Sequence, residues 1–293
     1  MELRILRYFL AVAKEETISG AAELLNVTQP TLSRQLMELE EELGKKLFIR
    51  GNRKITLTEE GHFFRKRAEE IIALADKTKL EFQTSDELIS GDVFIGGGET
   101  DAMRLIARTI KKLNMSYPLI KYHLFSGNAD DVTEKLDLGL LDFGVLIEPV
   151  DKRKYSYLKI PATDRWGLLM RKDSPYAKLD HISPENLIDI PLLCSRQTMV
   201  KDEISNWFGD DFDKLNVIST YNLLYNASLM VEEGVGYALC LDGLVNTTGK
   251  SKLCFRPLYP KLECDLVIVW KKDQVFSRAS EKFLDLLHDK YLM

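Results

Sequence analysis

The stretch TQPTLSRQLMELEEELG, Thr28 to Gly44, reads as a helix with an unequal charge plan. Thr28 suits an N-cap, because its hydroxyl can accept from a first-turn amide, and Pro30 is tolerated where amides have no intrahelical partner. Leu32, Leu36, Leu39 and Leu43 recur at helical spacing, which predicts one buried stripe, and Gly44 is a natural stop. Off that stripe, Thr28, Gln29, Ser33 and Arg34 sit near the start, whereas Glu38, Glu40, Glu41 and Glu42 crowd the end.

The segments on either side give this helix a context. Upstream, Leu6, Phe9, Leu10 and Ala13 mark a first helix, and Gly20 precedes a second holding Ala21, Ala22, Leu24 and Leu25. Asn26 and Val27 leave room for only a tight connection, so the arrangement is a helix-turn-helix whose second helix places its N-terminal residues at base edges in the major groove. Gln29 can bond adenine bidentately, Arg34 can reach guanine or phosphate, Ser33 can bond either, and Pro30 offers an apolar surface to a thymine methyl. The glutamates fit only if their end leaves the groove. Downstream, KKLFIR and KITLT flank Gly51-Asn52 as a hairpin, in which Lys45, Lys46, Arg50, Arg53 and Lys54 occur with no acid between them. A basic hairpin beside a recognition helix is a wing, and Arg50 and Arg53 can reach phosphates or a minor groove.

Thr58 can cap a further helix running to about Leu88, with Phe64, Ala68, Ile71, Ala75 and Phe82 roughly on one face. At 1.5 Å per residue this is a rod of about 45 Å, too long to hide its stripe against a short neighbour and suited to pairing with a second copy. From Asp92 onward, strand and helix alternate. VFIGGG, IKYHLF and DFGVLI are strands separated by helices over Asp101–Met115 and Ala129–Leu138. WGLLMR, PLLCS, VISTY and GYALCL form a second round, with helices near Val200–Phe208 and Asn222–Glu233. DLVIVW and a helix over Ser277–Tyr291 close the chain. This rhythm predicts α/β lobes built on parallel sheets.

Composition bounds the function. With 293 residues, 45% hydrophobic and 29% charged, the chain carries ordinary cores and is neither disordered nor membrane-embedded. A net charge of −5 argues against nucleic-acid binding over the whole surface and leaves a small, locally basic module. The N-terminus MELRILRYFLAVAKEE has acids too early for a secretory signal, which places the protein in the cytoplasm. Cys194, Cys240, Cys254 and Cys264 are widely spaced and read as reduced thiols, and no CxxC, HExxH or Cys/His cluster marks a metal site.

The segments AAELLNVTQPTLSRQLMELEEELGKKLFIR and LTEEG, with FLAVAKEETIS in register before them, resemble the LysR-type transcriptional regulators. YPLIKYHLFSGN, LDLGLLDFGVL and MVEEGVGYAL extend the likeness weakly through the rest of the chain. The resemblance implies an α/β protein with a winged helix-turn-helix over residues 1–58 and a linker and dimerisation helix over 59–89. A two-lobed effector domain like periplasmic binding proteins would follow, with lobe I over 90–163 and 268–293 and lobe II over 164–267. It implies a homodimer or homotetramer on double-stranded DNA at interrupted palindromes, responding to a small-molecule effector, with no cofactor and no catalytic residue. The DNA-contacting positions it implies are Thr28, Gln29, Pro30, Thr31, Ser33, Arg34, Arg50 and Arg53. Its effector cleft corresponds to Glu99, Thr100, Ser126, Gly127, Asn128, Glu148, Ser195, Arg196 and Tyr221. These follow strands, where ligands of open α/β sheets bind and helix N-termini offer amides to anions. Thr100 and Ser126 are hydroxyl donors and Arg196 can pair a carboxylate, but Glu99 opposes an anion, which leaves a polar or cationic effector open. The chain departs from the family pattern where many relatives carry prolines, here RLIARTIKKL and GVGYALCLDGL.

Other readings compete. Gly96-Gly97-Gly98 ends a strand as in dinucleotide sites, but Asp101 occupies the last glycine position of G-x-G-x-x-G, and no GxSxG or P-loop is present, so an enzyme is disfavoured. A redox-sensing regulator of the same fold would use the cysteines, with Cys254 and Cys264 as one pairing. A transport solute-binding protein would have no use for the N-terminal module.

Overall fold

A computed structural model describes residues 1–51, 54–82, 89–196 and 202–291. The chain divides into two compact units, Met1–Gln83 and Thr84–Met293.

In the first unit, α1 (Leu3–Glu15) buries Leu6, Phe9 and Val12. The short α2 (Ile18–Leu24) is capped by Thr17, which accepts from Gly20 N, so Gly20 lies inside the helix rather than before it. Ala21 and Ala22 are buried, whereas Leu24 is exposed. Asn26, at φ 53°, turns the chain into α3 (Gln29–Leu43). Thr28 caps α3 and Gly44 ends it in the left-handed region. Leu32, Leu36 and Leu39 are buried, but Leu43 is exposed, because the stripe runs out where the helix leaves the core.

The wing consists of β1 (Phe48–Arg50) and β2 (Ile55–Leu57), antiparallel with Ile49 opposite Thr56. Thr58 then caps α4 (Glu59–Glu81) by accepting from Gly61 N. Gly61 permits this junction: a Cβ there would lie 2.1 Å from the Leu47 carbonyl oxygen. The expected stripe of α4 is two stripes. Phe64, Ala68 and Ile72 pack on the helix-turn-helix core, whereas Ile71, Leu74, Leu80 and Phe82 are exposed. The expected end of this helix near Leu88 lies outside the described residues.

The second unit opens with β3 (Gly91–Gly97), α5 (Met103–Ser116), β4 (Ile120–Ser126), α6 (Ala129–Asp137) and β5 (Phe143–Ile147). β3 is parallel to both β4 and β5. Next comes β6 (Tyr155–Arg171), far longer than WGLLMR alone suggested. β7 (Leu192–Ser195), α7 (Asp202–Phe208), β8 (Val217–Tyr221), α8 (Leu224–Glu232) and β9 (Tyr237–Leu241) form the second parallel set. The expected start of α7 near Val200 lies outside the described residues. β10 (Leu253–Pro257), β11 (Glu263–Lys271) and α9 (Arg278–Tyr291) complete the unit, and β10 was not anticipated.

The sheets are mixed rather than purely parallel. β11 runs antiparallel to β5 and to the first part of β6, and β6 continues past Arg165 to pair antiparallel with β9 and β10. One strand therefore belongs to both lobes. Phe143 centres the first core, its ring stacked on Phe276 with 5.1 Å between centroids and tilted against Phe283. In the other lobe, alternate residues of β6 face opposite sides: Leu168 and Met170 pack with Leu192 and Cys194, while Leu169 packs with Leu193, Ala227 and Cys240. Among the described residues, no helix is long and apolar enough to cross a membrane.

Candidate functional site

The first candidate surface is the start of α3. Thr28 Oγ1 accepts from Thr31 N at 3.4 Å and shares a 2.8 Å hydrogen bond with the Thr31 hydroxyl, so both hydroxyls are engaged in the cap. Gln29, Pro30, Thr31 and Arg34 are exposed and Ser33 is half-buried, so these residues form one open end of the helix. Arg34 Nε lies 3.4 Å from Glu38, an i,i+4 pair that contact with DNA would have to exchange.

Glu40 differs from the exposed Glu38, Glu41 and Glu42 beside it. It is 5% exposed. One carboxylate oxygen accepts from Leu47 N at 2.8 Å and Phe48 N at 3.2 Å, and the other from Lys46 Nζ at 2.9 Å. Burial raises the Glu40 carboxyl, but the bonds from Lys46, Leu47 and Phe48 outweigh it and hold the group below its ordinary value. This carboxylate ties the recognition helix to the wing. Of the wing cations, Lys54 pairs with Glu16 and Lys45 lies 3.7 Å from Glu60. Arg50 ends β1, and Arg53 lies outside the described residues.

The second candidate is a cavity of about 90 Å³ in the second unit. It opens where strands β3, β4, β5, β7, β8 and β9 reach their C-terminal ends. Glu99, Gly127, Asn128, Ser195 and Tyr221 from the expected cleft all line it. The remaining expected residues do not. Thr100 and Ser126 line a separate depression of about 350 Å³, and Arg196 is exposed on one of about 620 Å³ beside Asp131, Asp151 and Lys154. Glu148 lies outside these cavities, 3.7 Å from Lys152. Trp166, Leu224, Cys240, Leu241 and Leu244 also line the cavity and were missed. Trp166 stands where β6 passes between lobes, a junction that no local pattern marks.

Most of the polar groups on the cavity wall already have partners. Tyr221 donates its hydroxyl hydrogen to the Leu239 carbonyl at 2.8 Å, and Asn128 and Asp131 close a capping box on α6. The Glu99 carboxylate accepts from Leu224 N, the first residue of α8, across the cleft. Behind it, Thr100 accepts from Ala102 N at 3.0 Å and hydrogen-bonds Asp164. Burial pushes the Asp164 carboxyl up, Thr100 lowers it, and the charges of Asp101 and Asp242 raise it further. One Asp164 oxygen is buried without a hydrogen-bond partner.

The four cysteines are buried thiols, none joined in a disulfide. Burial pushes the Cys194 thiol up to about 12 and raises Cys240 and Cys254 as well, the reverse of what a reactive thiolate needs.

Residues 3–62 match the model of the bacterial regulatory helix-turn-helix protein, lysR family, and residues 86–291 match the LysR substrate binding domain. The chain is 28% identical to the uncharacterized HTH-type transcriptional regulator YbhD of Escherichia coli, over 98% of this chain and 90% of that one. It is 30% identical to the HTH-type transcriptional regulator BsdA of Bacillus subtilis, over 74% of each. Its fold is similar to that of full-length CbnR crystallised with its target DNA, with a TM-score of 0.78, 20% identity and 99% of both chains covered. The chain thus belongs to the LysR family of DNA-binding transcriptional regulators, which carry a substrate-binding domain and are not enzymes.

Proposed function

We propose that the first turn of α3 reads bases while the wing holds phosphates. In this reading Gln29, Pro30, Thr31, Ser33 and Arg34 lie in the major groove, Thr28 fixes the turn, and Arg50 and Arg53 meet the backbone or minor groove. The observation that carries the reading is the exposure of Gln29, Pro30, Thr31 and Arg34 at the one end of α3 that is free of acids. The Arg34–Glu38 ion pair at that end is exposed on both sides and weak enough to exchange. Two copies pair through the exposed Ile71, Leu74 and Leu80 of α4, and pairs assemble further into a tetramer. A two-fold assembly matches an interrupted palindrome, each half-site read by one copy. The protein works in the cytoplasm, where that DNA is.

A small effector occupies the cavity lined by Glu99, Gly127, Asn128, Ser195 and Tyr221, and binding changes how the lobes sit on one another. The altered packing of effector domains in the tetramer then changes the spacing or bend of the DNA sites. Thr100 and Asp164 support the cleft from behind.

A gel shift on the promoter DNA upstream of the protein's own gene tests the first part. A sequence-specific complex that random DNA does not compete is expected, and its absence would sink the reading. A thermal-shift screen of small metabolites tests the second, and complete silence would remove the effector.

A further inference from the structure

Resting on that effector reading, we infer that the interlobe cavity takes a small protonated amine on an apolar body, with Glu99 as its counter-charge. The helix N-termini that would invite an anion are already occupied. α8 has Leu223 at its cap position and no side-chain cap of its own, and the Glu99 carboxylate from the other lobe bonds its first amide. α6 is closed by the Asn128–Asp131 box and carries Asp130 in the same turn. Before α5, the Thr100 hydroxyl takes Ala102 N. An anionic ligand would have to displace the protein's own acceptors from these amides: the Glu99 carboxylate, the Asn128 amide oxygen and the Thr100 hydroxyl.

The cavity wall agrees. Ile147, Trp166, Leu224, Leu241 and Leu244 make it largely apolar, and among the described residues no cation lines it. Arg196, the cation expected to pair a carboxylate, lines the neighbouring depression instead. Glu99 gives one carboxylate oxygen to Leu224 N, which leaves the other for a ligand. Nearby, Asp101 pairs with Arg104 and Asp242 with Arg165, so Asp164 is left without a cation of its own among the described residues. Burial, and after it the charges of Asp101 and Asp242, push the Asp164 carboxyl up, and these acidic surroundings favour a cation over an anion at the cavity. The indole of Trp166 supplies an aromatic wall for an ammonium and its alkyl chain. The volume suits a body of a few carbon atoms.

The test uses the full-length protein with n-alkylamines of four to six carbons and the carboxylates and alcohols of equal length, read by thermal shift and titration calorimetry at pH 7.5. The amines are expected to bind at least ~10-fold more tightly than the other classes. Glu99→Gln should weaken amine binding at least ~10-fold while narrowing or reversing the preference against carboxylates. Leu244→Trp, which fills the cavity and leaves Glu99 in place, should block amines as well, and gel shifts on promoter DNA check that both variants are folded. Carboxylates or alcohols binding the unmodified protein as tightly as the amines would overturn the assignment and leave the effector reading standing. Amine binding undiminished in both variants would also overturn it. If no series binds, the assignment falls, and the effector reading falls with it when the metabolite screen is silent too.

Discussion

Two helix N-termini in this protein are capped in opposite ways. α3 supplies its own cap: Thr28, the residue before the helix, accepts from Thr31 N. α8 borrows its cap: Leu223 has nothing to offer, and Glu99 reaches from the other lobe to Leu224 N. A local cap needs nothing from the rest of the fold, so the first turn of α3 stays ordered while its other side chains remain exposed. A borrowed cap makes helix stability depend on how the lobes are placed, so moving the lobes apart costs a hydrogen bond. The same orphan amides therefore serve as a rigid platform in one unit and as a latch in the other.

The platform is the easier half to break. Glu40→Ala would orphan the Leu47 and Phe48 amides and strip Lys46 of its partner, with an expected loss of about 2–4 kcal/mol in the first unit. Denaturant unfolding should show it, and a change below about 0.5 kcal/mol would mean that Glu40 does not hold the wing. The pH dependence has a definite sign. The Glu40 pKa is lowered on folding, so its contribution is complete above the ordinary glutamate value of about 4.3 and is lost as pH falls through the lower folded value. Glu40→Gln should flatten the acid limb of the first unit's stability profile.

Next in size is Arg34→Ala, expected to cost about 1–3 kcal/mol of specific DNA binding and to relax base preference at one position. Equal losses on specific and random DNA would reassign Arg34 to phosphate holding. Arg53→Ala should instead lower the slope of log affinity against log salt by about one, with base preference unchanged. Binding isotherms at several salt concentrations separate the two.

The same contrast explains what could be read from the sequence. Thr28, Pro30 and Gly44 announce α3 because caps and stops act within a few residues, and the leucine spacing needs only one helix. Glu40 could not be told from its neighbours because its partners, Leu47 and Phe48, enter only once the wing folds back, and spacing alone makes it one of four similar acids. In the second unit, Gly98–Glu99, Gly127–Asn128, Ser195 and Tyr221 were legible because they end strands, where α/β ligands bind. Thr100, Ser126, Glu148 and Arg196 also end strands or follow them, yet they face elsewhere, since side-chain direction depends on turn geometry that sequence does not encode locally. Trp166 and β10 were invisible for a related reason: β6 crosses between lobes, and that pairing is made entirely at long range.

The smallest effect is the most discriminating one. Glu99→Gln keeps the shape of the side chain but replaces a charge-assisted cap with a neutral one, at an expected cost of about 1 kcal/mol in the second unit. A second change, Leu223→Asp, gives α8 a cap of its own at the position where Thr28 serves α3. If α8 depends on the borrowed cap, Leu223→Asp should recover most of that loss in the Glu99→Gln background. In the unmodified background it should add little, because the new carboxylate takes the next amides of the turn and stands beside the like charge of Glu99. Unfolding midpoints of all four proteins give the coupling directly, and strictly additive effects would show that Glu99 and the α8 terminus act independently. The self-capped variant should also pass hydrogen-exchange protection to α8 whatever the lobes do, converting the latch into a second platform.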